Sequence, residues 1–408
     1  MKQIAITGIG VVSPLGSDTR TLWDNLVQGK SGIDTIGEFS ELPVTFGGRA
    51  TAFDPERYLG NKELRHMDRY AQFALTAGLD AYQNAGLNSD TYPSYRTGVL
   101  IGSGSGGIET IEEQMNVFHT RGARRVSPMT VPMFITNIGP AELAKRIQAK
   151  GPGFSLSSAC ATGGHALAIA ARLIQAGDAD CMLAGGVEAC LTPFAVAAFA
   201  SMRALSTRND APQKASRPFS VDRDGFVMSE GGAVLVLENY DKARERGAEI
   251  LAVLEGVGMS VDAYHMVAPD PEGTAVVYAV EKAIRDAGIS PSDIGYINAH
   301  GTSTPLNDKI ETSAIKKVFG EYAYRVPVSS TKSMTGHLIG GAASLEAAIC
   351  ILAMRSGVIP PTINLDNPDP ECDLNYVPDK ALRSEVSHCL NNSFGFGGQN
   401  VALVLGKG

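Results

Sequence analysis

One cysteine and two histidines carry the chemistry open to this sequence. Cys160 stands in Ser157-Ser158-Ala159-Cys160-Ala161-Thr162-Gly163-Gly164, between a Gly-Pro-Gly turn and an Ala/Leu/Ile stretch (166–176) without proline. That pattern predicts a turn that delivers the cysteine to the N-terminal end of a buried helix. The positive end of a helix lowers a thiol's pKa, and the thiolate is the form that attacks a carbonyl. Two downstream islands hold the histidines: Asn298-Ala299-His300-Gly301-Thr302-Ser303-Thr304 and Lys332-Ser333-Met334-Thr335-Gly336-His337. An activated thiol with two imidazoles is equipment for acyl transfer. The other cysteines, Cys181, Cys190, Cys350, Cys372 and Cys389, read as small buried hydrophobes. His66, His119, His165, His265 and His388 read as structural hydrogen-bonding groups.

The elements that must position these residues alternate. Residues 4–9, 97–101, 181–184 and 232–237 read as strands, and 71–84, 164–175 and 275–286 as helices. Such alternation predicts an α/β protein. A chain of 408 residues exceeds one ordinary core and points to two domains or a duplication. The second half echoes the first. Leu79-Asp80-Ala81-Tyr82-Gln83-Asn84-Ala85-Gly86-Leu87 resembles Glu281-Lys282-Ala283-Ile284-Arg285-Asp286-Ala287-Gly288-Ile289. The stretch after Cys160 has a counterpart in Thr335-Gly336-His337 and the small-residue helix 340–354, and the two reach Gly177 and Gly357. A divide near residue 250 gives halves 1–250 and 251–408, the first carrying the cysteine and the second both histidines. On this reading Cys160 and His337 occupy equivalent helix starts, brought face to face by a pseudo-two-fold axis.

With 44% hydrophobic and 19% charged residues the composition is that of a compact soluble enzyme. A net charge of −8 argues against nucleic acid as a partner. Six scattered cysteines without a CxxC pair read as reduced thiols in a cytoplasmic protein, and no zinc-type spacing appears. The chain opens directly on a strand pattern without a signal segment, and no apolar run is expected to reach the about 18 residues of a membrane span. Basic clusters at Lys62/Arg65/Arg69, Arg121/Arg124/Arg125 and Arg203/Arg208 suit the docking of an acidic partner.

Four motifs in order resemble those of the elongating β-ketoacyl-acyl carrier protein synthases: Ser-Ala-Cys160-Ala-Thr-Gly, Asn-Ala-His300-Gly-Thr-Ser-Thr-Pro with Asp308 and Glu311 after it, Lys332-Ser-Met-Thr-Gly-His337, and Asn392-Ser-Phe-Gly-Phe396-Gly-Gly. The resemblance runs the whole chain, and the loop Asp262-Ala263-Tyr264-His265-Met266 is closer to synthase II than to synthase I. It implies a thiolase-like fold of two duplicated halves in layers αβαβα, a homodimer, and a ping-pong decarboxylative Claisen condensation. In that reaction Cys160 takes the acyl chain from an acyl carrier protein. Malonyl carrier protein then loses carbon dioxide, and its carbanion attacks the thioester, giving 3-oxoacyl carrier protein in fatty-acid elongation. No cofactor is implied; the phosphopantetheine arm belongs to the carrier protein, and neither nucleic acid nor membrane takes part.

The resemblance also assigns residues. His300 and His337 stabilise the enolate, and the backbone N–H groups of Cys160 and Phe396 form an oxyanion hole. Phe396 is a gate, and Lys332 belongs to a buried charge network with Asp308, Glu311 and Glu346 as candidate partners. Asn298, Glu346 and Asn391 surround a monovalent cation in some relatives. Phe199 lines the acyl tunnel, and Lys62, Arg65, Arg124, Arg125 and Arg203 line the carrier-protein entrance. Ser105 and Thr130 depart from the family, where bulkier apolar or aromatic residues are common, and imply a longer or wetter acyl pocket. A ketosynthase subunit of a type II polyketide system would share every motif. A non-catalytic chain-length subunit usually lacks the cysteine, a degradative thiolase needs a second catalytic cysteine where only Cys389 is near, and chain-starting synthases place Asn at the position of His337.

Overall fold

The computed structural model describes residues 3–408. Its main sheet has ten strands. The first five are β1 (Ile4–Val12), β2 (Thr97–Gly102), β3 (Gly153–Phe154), β4 (Cys181–Glu188) and β5 (Gly231–Asn239). The second five are β6 (Ala252–Val261), β7 (Tyr296–Asn298), β8 (Val328–Ser329), β9 (His388–Gly395) and β10 (Gln399–Lys407). The order β8-β7-β9-β10-β6-β1-β5-β4-β2-β3 reads as one pattern and its repeat, joined at β6 and β1. In each half the leading strand pairs antiparallel with the last, the last pairs antiparallel with the one before it, and the two remaining neighbours run parallel. The halves share an edge, with Ile4 opposite Leu254 and Ile6 opposite Ala252. β1, β4 and β5 are buried at every position, which is why they read as continuous apolar runs and not as alternations.

The principal helices are α1 (Arg69–Asn84), α2 (Ile108–Arg121), α3 (Thr162–Ala176), α4 (Pro193–Ser201), α5 (Thr274–Ala287), α6 (Pro305–Phe319) and α7 (Ala342–Ser356). α1 covers β1, β4 and β5, and α5 covers β6 and β10. α3 and α7 lie against each other and touch strands of both halves, which completes the layers αβαβα. Glycine permits the outer packing. A Cβ on Gly8 or Gly10 would sit 2.2 or 1.9 Å from the carbonyl oxygens of Ala81 and Ala77, and one on Gly256 or Gly258 would sit 2.1 or 1.8 Å from those of Ala283 and Ala279. The same helix-on-strand contact is therefore built twice.

Two expectations need correction. The helices α3 and α7 have 15 residues each, follow 3₁₀ turns at Ala159–Ala161 and Ile339–Gly341, and end at left-handed Gly177 and Gly357. Ala159 and Ile339 share the same unusual positive φ, 48° and 45°. The structural twin of Cys160 is thus Gly340, not His337, which precedes its turn. Second, among the described residues the segment 339–356 is long and apolar enough to cross a membrane. It reaches that length through Ala, Gly and Ile around a charged Glu346, and it forms the buried central helix of the core.

Candidate active site

Cys160 sits on the turn that feeds α3, as its sequence setting predicted, and is 5% exposed. β7 ends at Asn298 and delivers His300. The short helix Lys332–Thr335 delivers His337 after Gly336, whose φ of 67° turns the chain back. The His337 backbone then locks onto the neighbouring segment: its N–H donates to the Val227 carbonyl at 2.7 Å, and its carbonyl accepts from Ser229 at 3.0 Å. His337 Nε2 lies 2.9 Å from Cys160 Sγ. The rings of His300 and His337 meet edge to face at 5.5 Å, and the ligand-bearing atoms of the three residues all lie within 4.8 Å of one another.

The hydrogen bonds assign the protons. His337 Nδ1 accepts the Ile339 backbone N–H at 3.2 Å, so the neutral ring carries its proton on Nε2 and points it at the sulfur. That leaves no lone pair on Nε2 for a metal, although three such side chains resemble a zinc set. His300 Nδ1 is buried without a partner. Burial first, and the Lys332 charge second, hold both histidines well below the usual value, so both are neutral.

The thiol differs from the sequence expectation. Burial pushes Cys160 up to about 11, against the opposing pull of the Lys332 charge and the backbone N–H groups of Phe396 and Cys160. The resting sulfur is a protonated, buried thiol. Burial is the largest influence on it, ahead of the Lys332 charge and the two N–H groups. The two N–H groups expected of an oxyanion hole do converge on it.

The charge network is sorted more finely than expected. Lys332 pairs with Glu346 alone among the candidate carboxylates, both fully buried. Glu311 instead accepts the backbone N–H groups of His300 and Gly301, each at 2.8 Å, and so fixes the histidine's backbone. Asp308 belongs to a different pair: it lies 3.4 Å from Arg223 and accepts the Phe219 N–H at 2.9 Å. Burial pushes Glu311 and Glu346 up to about 7 each. Arg223 was not among the residues the sequence singled out.

Asn298 and Asn391 are cross-strand neighbours on β7 and β9. Their amide nitrogens are used, by Tyr296 Oη and the Ala343 carbonyl, while both Oδ1 atoms and Glu346 Oε2 are buried without a partner. Three buried acceptors of this kind fit a hard cation held by oxygen.

Cys160 and both histidines open into a cavity of about 320 Å³ whose other walls include Arg203, Val267, Leu306 and Phe396. A larger cavity, about 550 Å³, lies elsewhere, around the ion pairs of Arg49 with Glu38 and Arg69 with Glu230. Phe396 stacks on Phe199 at 6.4 Å, and Phe226 and Phe394 stand 5.3 and 5.5 Å from the rings of His337 and His300. The loop carrying Phe396 is tied to the 262–266 loop by Gly397 N–H to the Met266 carbonyl and Asp262 N–H to the Gly398 carbonyl, both 2.9 Å. Of the three expected pocket residues none lines the catalytic cavity itself: Phe199 stands behind Phe396, and Ser105 and Thr130 lie elsewhere. Ser105 Oγ donates to Glu188, a buried carboxylate that also accepts from Gly104, Ser105 and Gly340 N–H groups. Thr130 Oγ1 donates to the Ser127 carbonyl at 2.7 Å. Both residues are half-buried, and each hydroxyl donates within the protein. Lys62, Arg65, Arg124, Arg125 and Arg203 are exposed, and among the described residues none forms an ion pair, whereas Arg69 and Arg208 pair with Glu230 and Asp222.

Comparison with known proteins agrees with this geometry. The β-ketoacyl synthase N-terminal domain matches residues 1–243 and the C-terminal domain residues 251–366. Proteins named 3-oxoacyl-acyl-carrier-protein synthase 2 from Coxiella burnetii and Synechocystis are each 46% identical over 408 residues, covering 100% of this chain and 99% and 98% of theirs. A β-ketoacyl synthase structure from Burkholderia phymatum is 34% identical with a TM-score of 0.93, covering 100% of both chains. A type II polyketide ketosynthase, in complex with its acyl-carrier protein, is 35% identical with a TM-score of 0.93, covering 100% of this chain and 99% of that one.

Proposed function

This chain belongs to the β-ketoacyl synthase family, and on that premise we propose that it elongates fatty acyl chains by decarboxylative condensation with malonyl-acyl carrier protein. The observation that carries the reading is the 2.9 Å approach of His337 Nε2 to Cys160 Sγ, with His300 against the same pair at the wall of one cavity. Identity to the two named synthases exceeds that to the polyketide ketosynthase, which favours fatty-acid elongation over polyketide assembly.

The roles follow from the assigned protons. Cys160 loses its proton as it attacks the acyl thioester, and the carrier thiolate leaves with a proton in its place. The N–H groups of Cys160 and Phe396 take the charge on the acyl oxygen. His337, held as an Nε2–H donor, and neutral His300 receive the enolate oxygen as carbon dioxide leaves the extender. Burial, aided by the Lys332 charge, keeps both imidazoles neutral, and Glu346 keeps Lys332 in place. A monovalent cation would be held by Asn298, Asn391 and Glu346, where it would supply fixed positive charge to a cluster of unpaired oxygens.

Phosphopantetheine enters as part of the carrier protein, whose acidic surface meets Lys62, Arg65, Arg124, Arg125 and Arg203. A homodimer fits the unpaired outer edge of β3 and the exposed stripe Ile111, Met115 and Phe118 along α2. Six free thiols fit a cytoplasmic compartment. The test is intact-protein mass spectrometry after incubation with acyl carrier proteins of graded chain length. An acyl adduct on the native enzyme and none on Cys160→Ala is expected; an adduct that survives the substitution would overturn the reading.

A further inference from the structure

We propose that His165 is a positioning residue that holds the two N–H groups of the oxyanion hole in register, by joining the nucleophile turn to the strand behind the Phe396 loop. The proposal rests on the acyl-transfer reading above and concerns only that half of the reaction. His165 lies in the first turn of α3, and its Nδ1 is 2.7 Å from Ser158 Oγ. Ser158 is held on two more sides: its N–H donates to Thr162 Oγ1 at 2.8 Å, and its carbonyl accepts the Ala161 N–H at 3.1 Å. The next residue, Ala159, carries φ 48°, a backbone state that an L-residue keeps only when its surroundings impose it. Ser158 therefore sets the orientation in which the Cys160 N–H is presented.

The other face of the imidazole meets the backbone carbonyl of Asn400, at the start of β10. Asn400 pairs across the hairpin with Phe394, two residues before Phe396. Its own side chain is anchored, Nδ2 donating to Asp262 at 2.7 Å and Ser260 at 3.3 Å. A neutral imidazole has one N–H and one lone pair. The carbonyl of Asn400 calls for the first and the Ser158 hydroxyl for the second, and burial keeps the ring neutral by holding it below its usual value. The two segments touch where a Cβ on Gly395 would come within 2.6 Å of the Ser158 carbonyl oxygen and 3.3 Å of the Cys160 nitrogen. His165 thus supplies a directional polar tie across a contact that is otherwise backbone against backbone.

The two half-reactions separate this role from simple folding. Acylation of Cys160 builds negative charge on the acyl oxygen between the two N–H groups, whereas decarboxylation of the extender builds it against His300 and His337. His165→Phe keeps the ring and removes both bonds. His165→Gln restores a donor and an acceptor, and Ser158→Ala removes one bond with little change of volume. Acylation, followed by intact mass, is expected to slow about tenfold to a hundredfold in His165→Phe, up to the cost of one oxyanion donor. His165→Gln recovers part of that loss, Ser158→Ala shows a smaller one, and malonyl decarboxylation stays at the native rate in all three. Unchanged acylation in Ser158→Ala and His165→Phe, or equal losses in both half-reactions, would overturn the proposal. A native enzyme that never acylates would instead overturn the reading it rests on.

Discussion

Removing Lys332 should make stability depend on pH in a way the native enzyme avoids. Glu346 is only 2% exposed and already sits at about 7 with the ammonium beside it. In Lys332→Met the carboxylate loses its partner, and its folded pKa climbs further above the unfolded value. A raised folded pKa means stability is complete below the unfolded value and is lost as pH rises towards the folded one. In the native protein that loss ends near pH 7; in the variant it continues. The penalty for Lys332→Met should therefore be least below pH 7 and grow by about 1.4 kcal/mol for each pH unit above it. Its ceiling is the about 3–5 kcal/mol that breaking a buried pair costs. Glu346→Gln on top of Lys332→Met removes the stranded carboxylate and should flatten the profile. The assay is urea unfolding at pH 6.5 and 9 in tetramethylammonium salts, which keep alkali cations off Glu346. The same penalty at both pH values, or a double variant as damaged as the sum of the singles, would refute the reasoning.

Three further outcomes follow from the site. His300→Ala and His337→Ala should each lower malonyl decarboxylation by about 10²–10³, the cost of one donor to a developing oxyanion, measured as carbon dioxide release. Arg124→Glu and Arg125→Glu should raise the KM for carrier-bound substrate about tenfold and leave small acyl thioesters unaffected, since each reverses an exposed charge outside the catalytic cavity; steady-state kinetics on both substrate types checks this. Ser105→Ala should cost about 1 kcal/mol of stability, one donor lost from Glu188, and leave the product chain length unchanged in a gas-chromatographic profile.

The chemistry was legible because it depends on residue types in short runs. Cys160, His300 and His337 were each marked by small residues that let the backbone turn sharply, and the structure gathers all three. The duplication was also legible, through the paired helices of Ala81 and Ala283. A further signal went unread: Gly256-Val257-Gly258 repeats Gly8-Ile9-Gly10, and both glycine pairs accept the same helix contact.

The sequence by itself determined the nucleophile, the two imidazoles, the α/β class and the repeat, since local turn chemistry and periodicity are written in neighbouring residues. Which carboxylate Lys332 would choose, where the hydroxyl of Ser105 would point, and that Gly340 rather than His337 would stand opposite Cys160 depended on residues brought together from distant parts of the chain. The state of the thiol belongs to the same class. A helix start argues for an easily ionised sulfur, but only the packed structure shows how deeply it is buried, and that burial pushes its pKa up.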